Sequence, residues 1–236
     1  MGDVPRRSTA QTLRVEPRPE LSPQDIIATT IRMWAETGVR QVSLRRLAAE
    51  FGVSATAIYY HIPDKDTLIG SAAQVIIEQW ARSNIAGSWS DRLRALLVEE
   101  NRVLRRYPGL ARYLIEHRDS PAALAWSEAL LAALLDAGFS EGAAAAGFGR
   151  ITMLINPLFL LDDFSEAPGH DLMTPWAERL DADPAQFPSL ARVQEHVSNA
   201  SFDEMFEQNA HALVDSLESE LRQQRSRRRK TRTKTP

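Results

Sequence analysis

The 236-residue chain contains no cysteine. That excludes disulfides, thiolate zinc sites and cysteine nucleophiles, and it fits a reducing compartment. Long apolar runs are also missing. The longest, ITMLINPLFLL (151–161), has 11 residues and carries Asn156 and Pro157, short of the ~18 needed to cross a bilayer. It reads as a buried helix. The first twenty residues have no apolar stretch, so a signal peptide is not expected and a cytoplasmic, membrane-free protein is. Alternating strand patterns, internal repeats and glycine-rich phosphate loops are absent. The five histidines (61, 117, 170, 196 and 211) are scattered without metal-ligand spacing, so no metal or cofactor is expected. His117-Arg118-Asp119 matches a kinase triplet, but the rest of that signature is missing. Asp162-Asp163 reads as a helix end, since adjacent positions diverge on a helix. No catalytic set emerges, and an enzyme is not expected.

The net charge of −3 conceals an asymmetry. Residues 71–221 hold 11 basic and 23 acidic groups, residues 21–70 five of each, and residues 222–236 eight basic and no acidic groups. So acidic a body cannot bind polyanions generally. Contact with nucleic acid must be local, through the first 70 residues or the basic end.

What is present is helical almost throughout, and the fold class expected is all-α. Residues 1–20, with three prolines and no period, read as a flexible arm. Ser22-Pro23 begins a helix, since serine caps and proline fits the first turn. Ile27, Ile31, Trp34 and Ala35 form its expected apolar stripe, and Gly38 its end. Ser43, Ser54 and Asp64 read as caps of three further helices. The second of these must stop near His61 because Pro63 follows. Ser90 is the expected cap of the next long helix, to about Arg106. Ser120-Pro121 and Ser140 open two more. Residues 165–200 are cut by four prolines into loops and short helices, and a last helix spans about 202–223. The domains expected are a 21–70 head, a 71–221 helical body and a disordered basic tail at 222–236.

Two short helices joined at Gly52-Val53 make a helix-turn-helix. Leu47 and Ala48 must meet Ile58 across that turn. The outer side of the second helix is then Ser54, Ala55, Thr56, Tyr59 and Tyr60, small or flat groups suited to a major groove. Three consecutive rings, Tyr59-Tyr60-His61, cannot all face a core, because neighbours on a helix diverge by about 100°. Tyr59 could still be largely core with only its hydroxyl at the surface. Lys65 in a first helical turn opposes the helix dipole. It is either simply solvated or placed for a DNA phosphate.

The stretch SLRRLAAEFGVSATAIYYHIPDKDTL (43–68) resembles the DNA-binding region of the TetR family of bacterial regulators. The pattern rests on Ser43, Arg45, Leu47-Ala48, Gly52-Val53, Ile58-Tyr59, His61, Lys65 and Leu68. HRDSPA, LLDAGFS and FDEMFEQNAHALVDSLESEL resemble the family's C-terminal domain more loosely. The resemblance implies that Ser43 and Ser54 sit at the DNA face and that Arg45 contacts a base or phosphate. Ala55 and Thr56 would face base edges, and Tyr59, Tyr60, His61 and Lys65 would hold the backbone. It further implies a homodimer on a palindromic double-stranded operator, probed by two heads ~34–36 Å apart and released by a small-molecule effector. Dimer contacts would come from helices 141–163 and 202–222, although AAAAGFG suits packing within one chain equally. Pocket candidates are polar or aromatic residues on apolar helices: Trp80, Asn84, Asn101, Tyr113, His117, Trp126, Met153 and Asn156. Ala81 and Asn84 stand where the tetracycline repressor carries its His and Phe ligands, so the resemblance does not extend to that drug. Two other readings are open: a ligand-binding helical protein with a vestigial head, and a sequence-nonspecific DNA binder acting through the basic tail.

Overall fold

The computed structural model describes residues 21–82, 86–164, 185–198 and 202–232, and these form helices and their connections, with no strand among them. The arm 1–20 and residues 165–184 lie outside the described residues. The helices are α1 (Pro23–Thr37), α2 (Leu44–Phe51), α3 (Ala55–His61), α4 (Lys65–Ala81), α5 (Trp89–Arg106), α6 (Leu110–Glu116), α7 (Pro121–Asp136), α8 (Glu141–Phe164), α9 (Pro188–Ser198) and α10 (Phe202–Arg232). A 3₁₀ turn, Val39–Gln41, follows α1.

Local chemistry sets the boundaries. The side chains of Ser22, Ser43, Ser54 and Asp64 accept from the backbone N–H groups of Asp25, Arg46, Ala57 and Thr67. Each fills one of the donors a helix start leaves unpaired. Gly52 sits at φ 62°, ψ 35° and closes α2, the left-handed geometry that favours glycine. α5 begins two residues earlier than the sequence suggests. Ser88 caps it and Asp91 reciprocates in a capping box, while Ser90 is buried inside the first turn. The α1 stripe is also displaced by one position. Ile26, Thr30, Met33 and Trp34 are buried, and Ile27 and Ile31 only flank them. Thr30 is tolerated because its hydroxyl donates to the Ile26 carbonyl.

One core runs from head to body. α4 belongs to both, packing on α1 at one end and along α7 at the other. A second joint lies at the α5–α6 corner. Trp34 Nε1 donates to the Pro108 carbonyl at 2.7 Å, and its ring meets Tyr107 edge-on. Gly109 stands at φ +91°, where a Cβ would lie 2.5 Å from Val39 Cγ1. Gly109→Ala is therefore expected to cost about 1–2 kcal/mol in backbone strain alone, before any displacement of Val39. A thermal melt checks this, and an unchanged Tm would mean that the joint is soft.

The last helix does not end where the basic run begins. α10 continues through Arg232, so residues 222–232 are helical rather than disordered. Gln, Arg and Lys are good helix formers, and cations at a helix C-terminus favour its dipole. Arg225 also donates to the Ala137 carbonyl at the end of α7, at 2.9 Å. Further up, Asp203 accepts from Asn101 and Arg105, Arg94 pairs with Asp215, and Arg150 forks onto Glu220 at 2.7 and 2.8 Å. Apart from buried Asn101, these pairs keep at least one partner well exposed, and they orient α10 more than they stabilise it.

Candidate DNA interface and ligand cavity

In the head, Leu47, Ala48 and Ile58 are buried together, and Val53 N–H bonds to the Ala48 carbonyl at 2.9 Å. This fixes α3 across α2 with one face outward. That face presents Thr56, Tyr59 and Tyr60. Tyr59 is 51% exposed and Tyr60 87%. Neither ring is core, so the surface reading of both is the observed placement. His61 is half-buried and meets Tyr60 edge-on at 5.2 Å. Ala55 is half-buried and Arg45 exposed on α2. Ser43 and Ser54 lie beside this face with their oxygens used as caps.

Lys65 is exposed, with Nζ 3.4 Å from the Arg40 carbonyl. The helix N–H groups beside it are less available than the sequence suggests. Asp64 takes the Thr67 N–H at 2.7 Å, and that bond holds its carboxyl below the usual carboxylate range. A phosphate at this point would meet chiefly the Lys65 ammonium. Exposed Arg46, whose guanidinium donates to the Gln41 carbonyl, adds a cation that the sequence reading passed over. The doubled Arg45-Arg46 was the visible signal.

In the body, a cavity of about 160 Å³ opens between α5, α6, α7 and α8. Its walls include Leu104, Leu114, Phe148 and Ile155, with Glu100 and Trp126 at the polar end. Of the eight pocket candidates, Trp126 lines it. Trp80 is a core residue whose Nε1 donates to the Leu96 carbonyl. Asn101 is buried against α10, bonded to Asp203 at 2.9 Å. Tyr113 stacks on exposed His117 and leans toward α4, where its hydroxyl lies 3.0 Å from the Cβ position that Gly70 leaves vacant. Met153 is 75% exposed on the outer side of α8. Asn84 and the side chain of Asn156 lie outside the described residues.

Glu100 is the residue that sequence reading missed. It is 1% exposed, and one carboxyl oxygen accepts from Trp126 Nε1. The other, Oε2, has no partner. Burial raises its pKa to about 8, the Trp126 bond opposing this only in part. The signal was available: Leu93, Leu97, Glu100 and Leu104 share one helical stripe, so the second glutamate of Glu99-Glu100 falls on the apolar side.

A helix-turn-helix head on an all-helical body is the architecture of a DNA-binding transcription regulator. The chain belongs to the TetR family: the model for bacterial regulatory proteins of the tetR family matches residues 26–72, and that for the tetracyclin repressor-like C-terminal domain matches 83–221. An HTH-type transcriptional regulator of Saccharopolyspora erythraea is 31% identical over 74% of this chain and 75% of its own. A possible TetR family regulator from Streptomyces coelicolor superposes with a TM-score of 0.67 at 22% identity, covering 83% of this chain and 98% of that one. Streptomyces coelicolor ActR, solved in complex with actinorhodin, gives 0.65 at 20% identity over 84% and 95%. The protein is a DNA-binding regulator of transcription, not an enzyme. Among the described residues no helix is long and apolar enough to cross a membrane.

Proposed function

We propose that the protein is a homodimeric repressor that leaves a palindromic operator when a small molecule enters the α5–α8 cavity. The observation that carries the DNA reading is the outward face of α3. Two tyrosines and a threonine stand clear of the core, α3 contains no acidic residue, and Arg45, Arg46 and Lys65 surround it. Aromatic and hydroxyl groups there can approach base edges and the backbone closely, while the cations hold phosphates.

Dimerisation is supported by α8 and α10. Gly142, Ala145, Ala146, Gly149 and Met153 are exposed along one side of α8. Ala212, Ser216 and Ser219 are exposed on α10, which packs beside it. Such small residues let two helix pairs from two copies approach closely, as a four-helix bundle requires.

Ligand response is supported by how α6 is built in. Ala111, Leu114 and Ile115 line the cavity, while Pro108-Gly109 at its head end abuts Trp34 and Val39. Tyr113 links the same helix to α4. A ligand that favours one position of α6 thereby favours one placement of the heads, by no more than its difference in affinity for the two. ActR, which shares this fold, holds actinorhodin.

Selection from random duplex DNA at ~0.15 M salt tests the reading. A two-fold-symmetric motif is expected, and its absence would overturn it. Arg45→Ala should then cost ~1–3 kcal/mol at one base position if it reads a base, whereas Lys65→Ala should weaken all sequences alike and reduce the salt slope by about 1. Gel shifts over a salt series separate the two. Truncation after Arg227 tests the basic end without removing Arg225 from α7. Loss of binding to all sequences alike on that truncation would favour the tail-driven reading.

A further inference from the structure

We propose that the cavity receives an apolar cation, a ring-sized hydrophobic group bearing one protonated amine that the Glu100 carboxylate binds. The inference rests on the ligand-responsive reading above and gives its ligand a chemical class.

Once Glu100 is ionised, the enclosed polar lining of the cavity offers acceptors, and the donors that remain belong to Arg118, which is exposed. Glu100 Oε2 is buried without a partner. The Ser127 hydroxyl already donates to the Ala123 carbonyl, and the Thr152 hydroxyl to the Phe148 carbonyl, each at 2.9 Å. Both oxygens are left to accept only. The Trp126 indole N–H is taken by Glu100 itself. Apart from Glu100, the charged side chain lining the cavity is Arg118. It is exposed, and its Nε donates to the Ile115 carbonyl. An ammonium carries three donors and no acceptor, the complement of this set. A carboxylate would face Oε2, with only the exposed Arg118 to answer its charge, and a bare carbonyl could take the proton of neutral Glu100 but would gain no ion pair.

The rest of the lining fits the remainder of such a ligand. Trp126 and Phe148 stand with ring centroids 5.5 Å apart, tilted by 56°. Aromatic faces attract cations most strongly when water is excluded. The volume of about 160 Å³ is close to the ~150 Å³ at which an apolar cavity holds benzene. Leu104, Leu114 and Ile155 enclose a ring, and the opening by Arg118 leaves space for a larger scaffold.

In the empty cavity burial keeps Glu100 protonated up to about pH 8. An entering ammonium forms an ion pair with the carboxylate, and the Glu100 proton passes to solvent. Binding below that pH releases one proton per ligand. Affinity should therefore rise about tenfold per pH unit from pH ~6 to pH ~8, then fall once the free amine loses its own charge.

Benzylamine, benzyl alcohol and benzoate are near-isosteric probes that differ in this one group. Titration calorimetry of the full-length protein, in buffers of different ionisation heat, should show saturable binding of benzylamine near ~1 mM or tighter with proton release. Benzyl alcohol and benzoate should bind at least tenfold more weakly. Glu100→Gln, which keeps an acceptor for Trp126, should weaken benzylamine at least tenfold and flatten its pH dependence. Equal binding of alcohol or benzoate, an unchanged Glu100→Gln, or no saturation by benzylamine would each overturn the proposal. The DNA selection separates this from the regulator reading. A chain that binds its operator but not the amine retires the ligand class alone. One that binds the amine but no DNA retires the regulator and leaves the site.

Discussion

Glu100→Gln should stabilise the empty protein, by a margin that grows with pH. In the unfolded chain this carboxyl ionises at the ordinary 4.5, whereas burial in the folded protein holds its proton to about 8. Between those values the folded state binds the extra proton, so the wild type loses stability as pH rises, by about 1.4 kcal/mol per unit. The loss is complete above about pH 8 and absent below the unfolded value. A glutamine has no such titration. Near pH ~5 the two proteins should be within about 1 kcal/mol, because neutral acid and amide both direct a donor into the cavity. At pH ~7 the variant should lead by about 3 kcal/mol, some 6–12 °C in Tm for a chain of this size. Glu100→Leu is not equivalent, because it strands the Trp126 N–H that Glu100 accepts. Paired melts across this range decide the matter, and parallel curves would mean that the carboxyl is ionised and solvated in the folded protein.

That this glutamate could be found in the sequence, yet was not, marks the boundary of what sequence shows. The head was legible because its determinants are local. Serine or aspartate before each helix, Gly52 at the turn and Pro63 after α3 act over three or four residues, and each is found doing so. The register of α1 was not, because Ile26 and Ile27 serve equally well in an isolated helix. The choice between them falls to the core and to the Pro108–Tyr107 corner, which lies some seventy residues away. The cavity is further from view still, since its wall draws on four helices. Trp80 and Trp126 sit on comparable apolar helices, but one bonds a neighbouring backbone carbonyl and the other a buried acid. Composition alone ended the last helix too soon. The basic run is soluble enough to be disordered, but Arg225 has a carbonyl to bind on α7.

Gly149→Arg should convert the protein to a monomer and weaken operator binding by ~10²–10⁴, the advantage that linked half-sites give over single ones. The glycines of α8 divide by face. A Cβ at Gly147 would lie 3.2 Å from both Leu134 and Leu217, so that glycine serves packing within the chain. A Cβ at Gly142 or Gly149 meets nothing within 4 Å. In a lone chain each of these would only weaken the helix, by about 1 kcal/mol relative to alanine. A second copy packed on this face, as proposed, would explain both them and the exposed Met153. The arginine should therefore leave helicity and the monomer's own fold intact while placing a charge where the proposed dimer would bring two α8 helices together. Gly149→Ala gives the finer measure. It should strengthen the helix and still loosen the dimer, because even a methyl holds closely crossed helices apart. Sedimentation, circular dichroism and operator titration of the two variants together distinguish the cases. A dimer that survives Gly149→Arg would place the interface elsewhere, and a monomer with undiminished operator affinity would show that one head suffices.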